Sequence, residues 1–149
     1  MLETSRIFFN SQFDYIYFFY GLGFILLASV CSFLRQTATQ PIPWKWIGFF
    51  GLLHGICEWT DLLALNLGDG ETFRYWRTVL NLSSFLCLVE FGRAATGVLH
   101  GKTAGRWIHF LFLFVVITGY PLDGRNGLNI FSRYAPGFLG GLWVAYTLS

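Results

Sequence analysis

Long apolar segments dominate this sequence and are separated by short polar connections. A helix that crosses a bilayer needs about 20 mostly apolar residues, with a range of about 17–25. The first two segments have that length, the third reaches it if Arg93 extends its charged end to the membrane surface, and the fourth is short. The pattern predicts an all-α integral membrane bundle of about five transmembrane helices, with spans at residues 15–34, 46–67, 76–93, 106–120 and 134–149.

The composition favours lipid over water as the main surroundings of the chain. Hydrophobic residues make up 54% of the sequence and charged residues 12%, whereas a soluble domain usually carries about 25% charged residues. These values exclude a disordered chain and a soluble monomer, and a net charge of +2 gives no basic field for nucleic acid. The three cysteines lie in apolar runs without a CxxC pair, so we expect buried thiols.

Turn-forming residues mark the connections between the segments. Proline and glycine end helices, and they recur at each predicted connection. The signals are Gln40 to Pro43, Gly68 to Gly70, the glycines at 97, 101 and 105, and Pro121 with Gly124 and Gly127. No cleavable signal sequence is apparent, so we expect the first segment to be retained. Because the fifth segment is still apolar at Ser149, we expect the sequence to be part of a longer protein.

The charges in the connections predict the orientation of the bundle. Lysine and arginine occur equally at the two ends, but both lysines, Lys45 and Lys102, fall at the end with the first and third connections. Cytoplasmic loops are enriched in Lys and Arg, so we place this end in the cytoplasm and the N-terminus outside. Five acidic residues fall at the other end, namely Glu3, Asp14, Asp69, Glu71 and Asp123.

Three ionisable residues interrupt the second segment at helical spacing. His54, Glu58 and Asp61 are separated by four and then three residues, so they project from one helix face. A charged side chain at the centre of a span costs about 2.5–3.5 kcal/mol on insertion scales. We therefore expect this face to point into the bundle.

The third segment offers polar partners for this face. It would run antiparallel to the second, which places Asn81 at the depth of the two carboxylates and places Ser83 and Ser84 near the histidine. Glu90 and Arg93 are three residues apart at the other end of the segment. We expect them to form an ion pair with each other at the cytoplasmic end.

Two interpretations of the polar face on the second segment remain open. It is either a structural network that fixes helix packing or a site for a ligand, a proton or a metal. No second histidine shares the span, and His109 lies too close to a connection to pair with His54 around a haem. The sequence therefore identifies no metal ligand set and no cofactor. Hydrolase and nucleotide-binding motifs are absent, so we expect no catalysis by this chain.

Two stretches carry a distinctive combination of residues. Phe49 to Asp69 contains an HGxxEWxD core, Leu88 to Arg93 contains EFGR, and Arg133-Tyr134 with Gly137 and Gly140 continues the pattern more loosely. From Trp46 onward, most of the chain resembles the N-terminal multi-pass membrane region of bacterial PAS-containing sensor histidine kinases and diguanylate cyclases. The resemblance implies about seven spans that lead to cytoplasmic output domains. This sequence has only about five spans and no PAS, kinase or cyclase segment.

Two functions from different classes fit these observations. The first is a sensory or anchoring module of the bacterial inner membrane, which passes a stimulus to output domains or a partner. The second is a structural or assembly subunit of a larger membrane complex, in contact with quinone, pigment or lipid. In both cases the expected partners are the bilayer and other membrane subunits or further copies of the chain, without nucleic acid.

Overall fold

The chain folds entirely into helices and turns over the part that the structure describes. The computed structural model describes residues 2–39 and 41–149, with side chains from Gln12 onward. The predictions that involve Glu3 and Gln40 therefore lie outside the described side chains. Six α-helices and one π-helical segment follow each other, namely α1 (Leu2–Thr37), α2 (Trp44–Leu67), α3 (Glu71–His100), α4 (Trp107–Thr118), α5 (Tyr120–Ser132), the π-helical segment (Arg133–Leu139) and α6 (Gly140–Leu148). The all-α prediction is confirmed.

These elements combine into five helical rods because the chain reverses inside α5. Asp123 and Gly124 have non-helical backbone angles, and Gly124 adopts φ 53°, a conformation that strongly favours glycine. The fourth rod therefore comprises α4 and the start of α5, joined through the helical Gly119. The fifth rod comprises the rest of α5, the π-helical segment and α6. Pro136 lies in that π-helical segment, where the missing amide hydrogen is accommodated by the widened turn.

Helix α3 lies at the centre of the bundle. It packs against α2 on one side and against the fifth rod on the other, while α1 packs on α2 and the fourth rod packs on the fifth. Short connections make α1, α2 and α3 antiparallel neighbours in turn, and they do the same for the fourth and fifth rods. Trp143 on the fifth rod donates its indole hydrogen to Thr96 of α3 at 2.9 Å, and Thr147 lies 2.9 Å from the same hydroxyl. The outer rods consequently have one packed face and one free face.

The free faces are apolar. Exposed aromatic and aliphatic side chains cover the outer surfaces of α1 and the fourth rod, among them Phe19, Phe33, Phe110, Phe114 and Ile117. Phe110 is 72% exposed. Water-soluble monomers rarely expose continuous apolar surfaces of this kind.

Two helices in the described part of the chain are long and apolar enough to cross a membrane. They are Gln12–Thr37 and Glu71–His100, whereas Trp107–Thr118 is apolar but shorter. Helix α2 has the length of a span but is not one of these two, and its centre carries His54, Glu58 and Asp61. The helical architecture is therefore established, whereas two of the described helices, and not five, have the length and hydropathy of a membrane span.

Several helix boundaries differ from the prediction. Helix α3 continues to His100, so Gly97 is helical, and its missing side chain leaves room for Thr103 of the following connection. The fifth rod begins after Gly124 and not at residue 134. The predicted helix end at Gly97 is wrong because this glycine packs against Thr103, which local sequence does not reveal, and α3 ends instead at its C-cap, Gly101.

The fourth and fifth rods approach each other through two glycines. A β-carbon on Gly119 would lie 2.6 Å from the carbonyl oxygen of Gly127, and one on Gly127 would collide with the carbonyl oxygen of Gly119. Gly137 and Gly140 pack similarly on Phe85 and Val89 of α3. Gly141 takes no part in this contact, because it faces open space.

We expect Gly127→Ala to destabilise the protein by about 1–3 kcal/mol, because the added methyl group forces the two rods apart. Gly141→Ala is the matched control and should be neutral or slightly stabilising, since alanine has the higher helix propensity. Reversible unfolding in mixed detergent micelles, followed by circular dichroism, measures both. Equal stability of the two variants would contradict the close approach.

Candidate functional site

The polar face of α2 is buried against α3, as the cost of charge in an apolar environment requires. His54 and Glu58 are each only 7% exposed. The imidazole Nε2 lies 3.5 Å from Glu58 Oε1, and the imidazole Nδ1 lies 3.0 Å from the hydroxyl of Ser84 on α3. The structure therefore brings Ser84 to the histidine, at the depth that the sequence indicates.

From Ser84 a line of hydrogen bonds continues to the fifth rod. The Ser84 hydroxyl donates to the carbonyl oxygen of Asn81 at 2.7 Å. The Asn81 amide donates to Ser132 at 3.3 Å, and Ser132 donates to the carbonyl oxygen of Asn129 at 2.8 Å. Asn81, Ser84 and Ser132 are all buried. We name His54, Glu58, Ser84, Asn81 and Ser132 the buried polar line, and it joins α2, α3 and the fifth rod.

The bonding of Ser84 determines where the histidine proton lies. A hydroxyl has a single hydrogen, and that of Ser84 is donated to Asn81. Ser84 can therefore only accept from His54, which assigns the proton to Nδ1 by hydrogen-bond counting. Nε2 faces the Glu58 carboxyl group at 3.5 Å, and each of these two groups is able to take up a proton. This pair is chemically able to hold and release a proton inside the bundle.

Aromatic rings enclose the imidazole from three helices. The ring centroids of Phe24 on α1, Phe50 on α2 and Phe85 on α3 lie 4.5, 5.3 and 5.1 Å from that of His54. These rings exclude water from the imidazole. Their role was not predictable because 20% of the sequence is aromatic and no pattern distinguishes these three.

Asp61 leaves the face that it was expected to share. Its carboxylate pairs with Arg77 of α3, and Arg77 also binds Asp69 at 2.8 Å. Asn81 was expected to reach Glu58 or Asp61 directly or through one water; its amide donates to Ser132, and no direct bond to either carboxylate forms among the described residues. Asp61 lies nearly one turn closer to the helix end than Glu58, where the longer arginine side chain reaches it first.

A cavity that the sequence did not predict lies at the end of the bundle that carries Asp61 and Arg77. It has a volume of about 440 Å³ and lies between α1, α2, α3 and the fifth rod. We name it the arginine cavity, after the four arginines that line it, Arg74, Arg77, Arg125 and Arg133. The sequence did contain one indication of this cavity: all four arginines lie beside the second and fourth connections, and these two connections lie at the same end of the bundle.

A second ionic cluster lies at the opposite end of α3. Glu90 accepts from Arg93 through both oxygens, at 2.7 and 2.6 Å, so the expected pair is brought together. His109 of α4 adds Nε2 at 3.2 Å from the same carboxylate, and Arg93 also donates to the carbonyl oxygen of Ala104 at 3.3 Å. The cluster ties the connection and the start of the fourth rod to α3.

Residues that could bind a metal are dispersed. Within the described residues, no group of three or more His, Cys, Asp or Glu side chains is placed to hold a metal ion. His54 and His109 bind different partners, Ser84 and Glu90. The three cysteines are free, with Cys31 and Cys57 buried and Cys87 partly buried.

Comparisons with protein-family models, with curated proteins and with solved structures found no match to this chain. The features that indicate a function are therefore the buried polar line and the arginine cavity.

Replacing Ser84 with alanine should destabilise the bundle by about 1 kcal/mol, because the donor at His54 Nδ1 loses its buried acceptor. Ser83→Ala is the control, since the hydroxyl of Ser83 bonds to none of the described residues and should tolerate removal. Unfolding in mixed micelles measures the difference between the two variants. If both lose the same stability, the His54–Ser84 bond does not hold α2 on α3.

Proposed function

We propose that this chain is a five-span helical bundle of the bacterial inner membrane that acts as a sensory module without catalysis of its own. Lipid is the solvent that matches its apolar outer faces, while its ionisable side chains are either buried in contact with one another or gathered at the two ends. The end that carries Lys45 and Lys102 is placed in the cytoplasm, and the N-terminus is placed outside.

The observation that carries the sensory function is the buried His54–Glu58 pair, which belongs to a line of hydrogen bonds through three rods. A network needed for packing alone is satisfied by neutral side chains, and hydrogen bonds between membrane helices average about 0.6 kcal/mol. His54 and Glu58 are both ionisable, so this pair can change its protonation state, which a network of neutral side chains cannot do. The resemblance of this region to the membrane part of bacterial sensor kinases and cyclases supports the same function.

The proposed mechanism is a shift between two arrangements of the bundle. A change in protonation or in bound ligand at His54 and Glu58 alters the donors and acceptors available to Ser84. Asn81 and Ser132 then rearrange, which changes how the fifth rod lies on α3. A stimulus acts only through its different affinity for the two arrangements. Any kinase or cyclase activity would reside in output domains or in a partner.

A second candidate is a subunit of a larger membrane complex, and one observation favours it. A cleft of about 540 Å³ opens at the end of the bundle that carries Lys45 and Lys102. It is lined by Trp46, Cys87 and Phe110 and by the Glu90–His109 pair. An apolar cleft with a few polar groups suits a quinone, a pigment or a lipid. In that case the buried polar line serves packing alone.

Site-directed labelling tests the membrane arrangement. In a background with Cys31, Cys57 and Cys87 replaced by alanine, a membrane-impermeant thiol reagent added from outside should modify Gly70→Cys and spare Lys102→Cys. The two positions lie in exposed connections at opposite ends of α3. The reverse pattern would invert the orientation, and labelling of both positions in intact cells would contradict the spanning arrangement.

Conservative substitutions separate sensing from folding. His54→Gln and Glu58→Gln each replace one ionisable side chain by a neutral amide that still forms hydrogen bonds. Both variants should therefore insert into the membrane and lose no more than about 1 kcal/mol of stability. Both should lose the response of the full-length protein to its stimulus or to pH. Normal output from both variants would eliminate the sensory function and leave the structural one.

A further inference from the structure

The arginine cavity carries an excess of positive charge. Among the side chains that the structure describes, four arginines and two carboxylates line it, the latter being Asp61 and Asp69. Those two are already engaged, since both bind Arg77 and Asp69 also lies 3.7 Å from Arg74. The other two arginines, Arg125 and Arg133, have no carboxylate inside the cavity.

Arg125 and Arg133 are only weakly neutralised. Arg125 reaches Glu71 at 3.2 Å, but that glutamate side chain is 78% exposed and lies on the rim. Arg133 is an exposed residue that donates to the amide oxygen of Asn129 at 2.9 Å, and it forms no ion pair with the acidic side chains of the described residues. A neutral amide accepts a hydrogen bond but does not offset the charge.

Two guanidinium hydrogen-bond donors at the cavity lack an acceptor. Arg77 Nε and Arg125 Nη1 are buried, and neither bonds to any group in the described part of the chain. A buried donor without an acceptor costs about 1–3 kcal/mol, and more for a charged group. An oxyanion in the cavity would supply the missing acceptors.

Backbone dipoles favour the same occupant. Helix α3 begins at Glu71 and the fifth rod begins after Gly124, so both direct their N-termini to this end of the bundle. Helix N-termini carry partial positive charge and attract anions. Asn129 and Asn126 add neutral donors to the lining.

We propose that the arginine cavity is a binding site for a small anion that carries a carboxylate or phosphate group. Arginine forks match the geometry of both oxyanions. The volume of about 440 Å³ lies in the range of about 300–1,000 Å³ that small-molecule sites occupy. The same oxyanion chemistry occurs in soluble anions and in lipid headgroups. The site does not depend on the sensory function, since it would exist equally in a structural subunit.

The test uses the chain in phosphatidylcholine nanodiscs with inorganic phosphate and with citrate as probes. At constant ionic strength, each should raise the melting temperature saturably relative to chloride. Arg133→Gln should weaken binding at least tenfold, and Arg125→Gln is a second variant in case the first does not fold. Arg106→Gln is the matched control, because Arg106 is an exposed arginine outside this cavity and should bind within twofold of the parent.

A lipid arm distinguishes the two sources of the oxyanion. If a headgroup is the occupant, phosphatidylglycerol in the nanodiscs should raise the melting temperature of the parent but not of Arg133→Gln, and free phosphate should add nothing further. Either result supports the site. The proposal is overturned if neither probe nor phosphatidylglycerol stabilises the parent, or if Arg106→Gln weakens the effect as much as Arg133→Gln. Binding is measured without signalling output, so its failure is separable from failure of the sensory function.

Discussion

The hydrogen bond between His54 and Ser84 determines how α2 and α3 face each other. Because the exterior of the bundle is apolar, the ionisable residues of α2 turn inward, and α3 supplies Ser84 as a partner for His54 and Arg77 as a partner for Asp61. Once that face of α3 is occupied, its opposite face remains for the fifth rod. The Trp143–Thr96 bond and the packing of Gly137 and Gly140 complete that second contact.

Ionisable side chains are found at three positions along α3: an ionic cluster at each end and the His54–Glu58 pair between them. At one end Arg77 bridges Asp61 and Asp69, and at the other Glu90 joins Arg93. Between them the buried polar line contains only the His54–Glu58 pair as an ionisable element. The ion pairs at the two ends are partly buried, and the Glu90–Arg93 pair has the bidentate geometry that makes such pairs strong. The central pair is enclosed by aromatic rings and is the more sensitive to a single proton.

The arginine cavity and the buried polar line share residues. Asn81 lines the cavity and also donates to Ser132, while Asn129 lines the cavity and accepts from Ser132 through its carbonyl oxygen. An occupant of the cavity that draws either asparagine towards itself would therefore act on the hydrogen bonds that reach His54. This contiguity provides a direct physical route between the two sites, and it involves one turn of α3 and one turn of the fifth rod.

The sequence by itself determined the helical architecture, the burial of His54 and Glu58, and the pairing of Glu90 with Arg93. Each of these follows from local spacing combined with the cost of placing charge in an apolar environment. Tertiary structure alone decided that Asp61 turns to Arg77, that Asn81 turns to Ser132, and that four arginines from separate connections converge on one cavity. Those outcomes depend on which rods are neighbours and on how closely they approach. Between α3 and the fifth rod, that approach is set by Gly137 and Gly140, which pack on Phe85 and Val89.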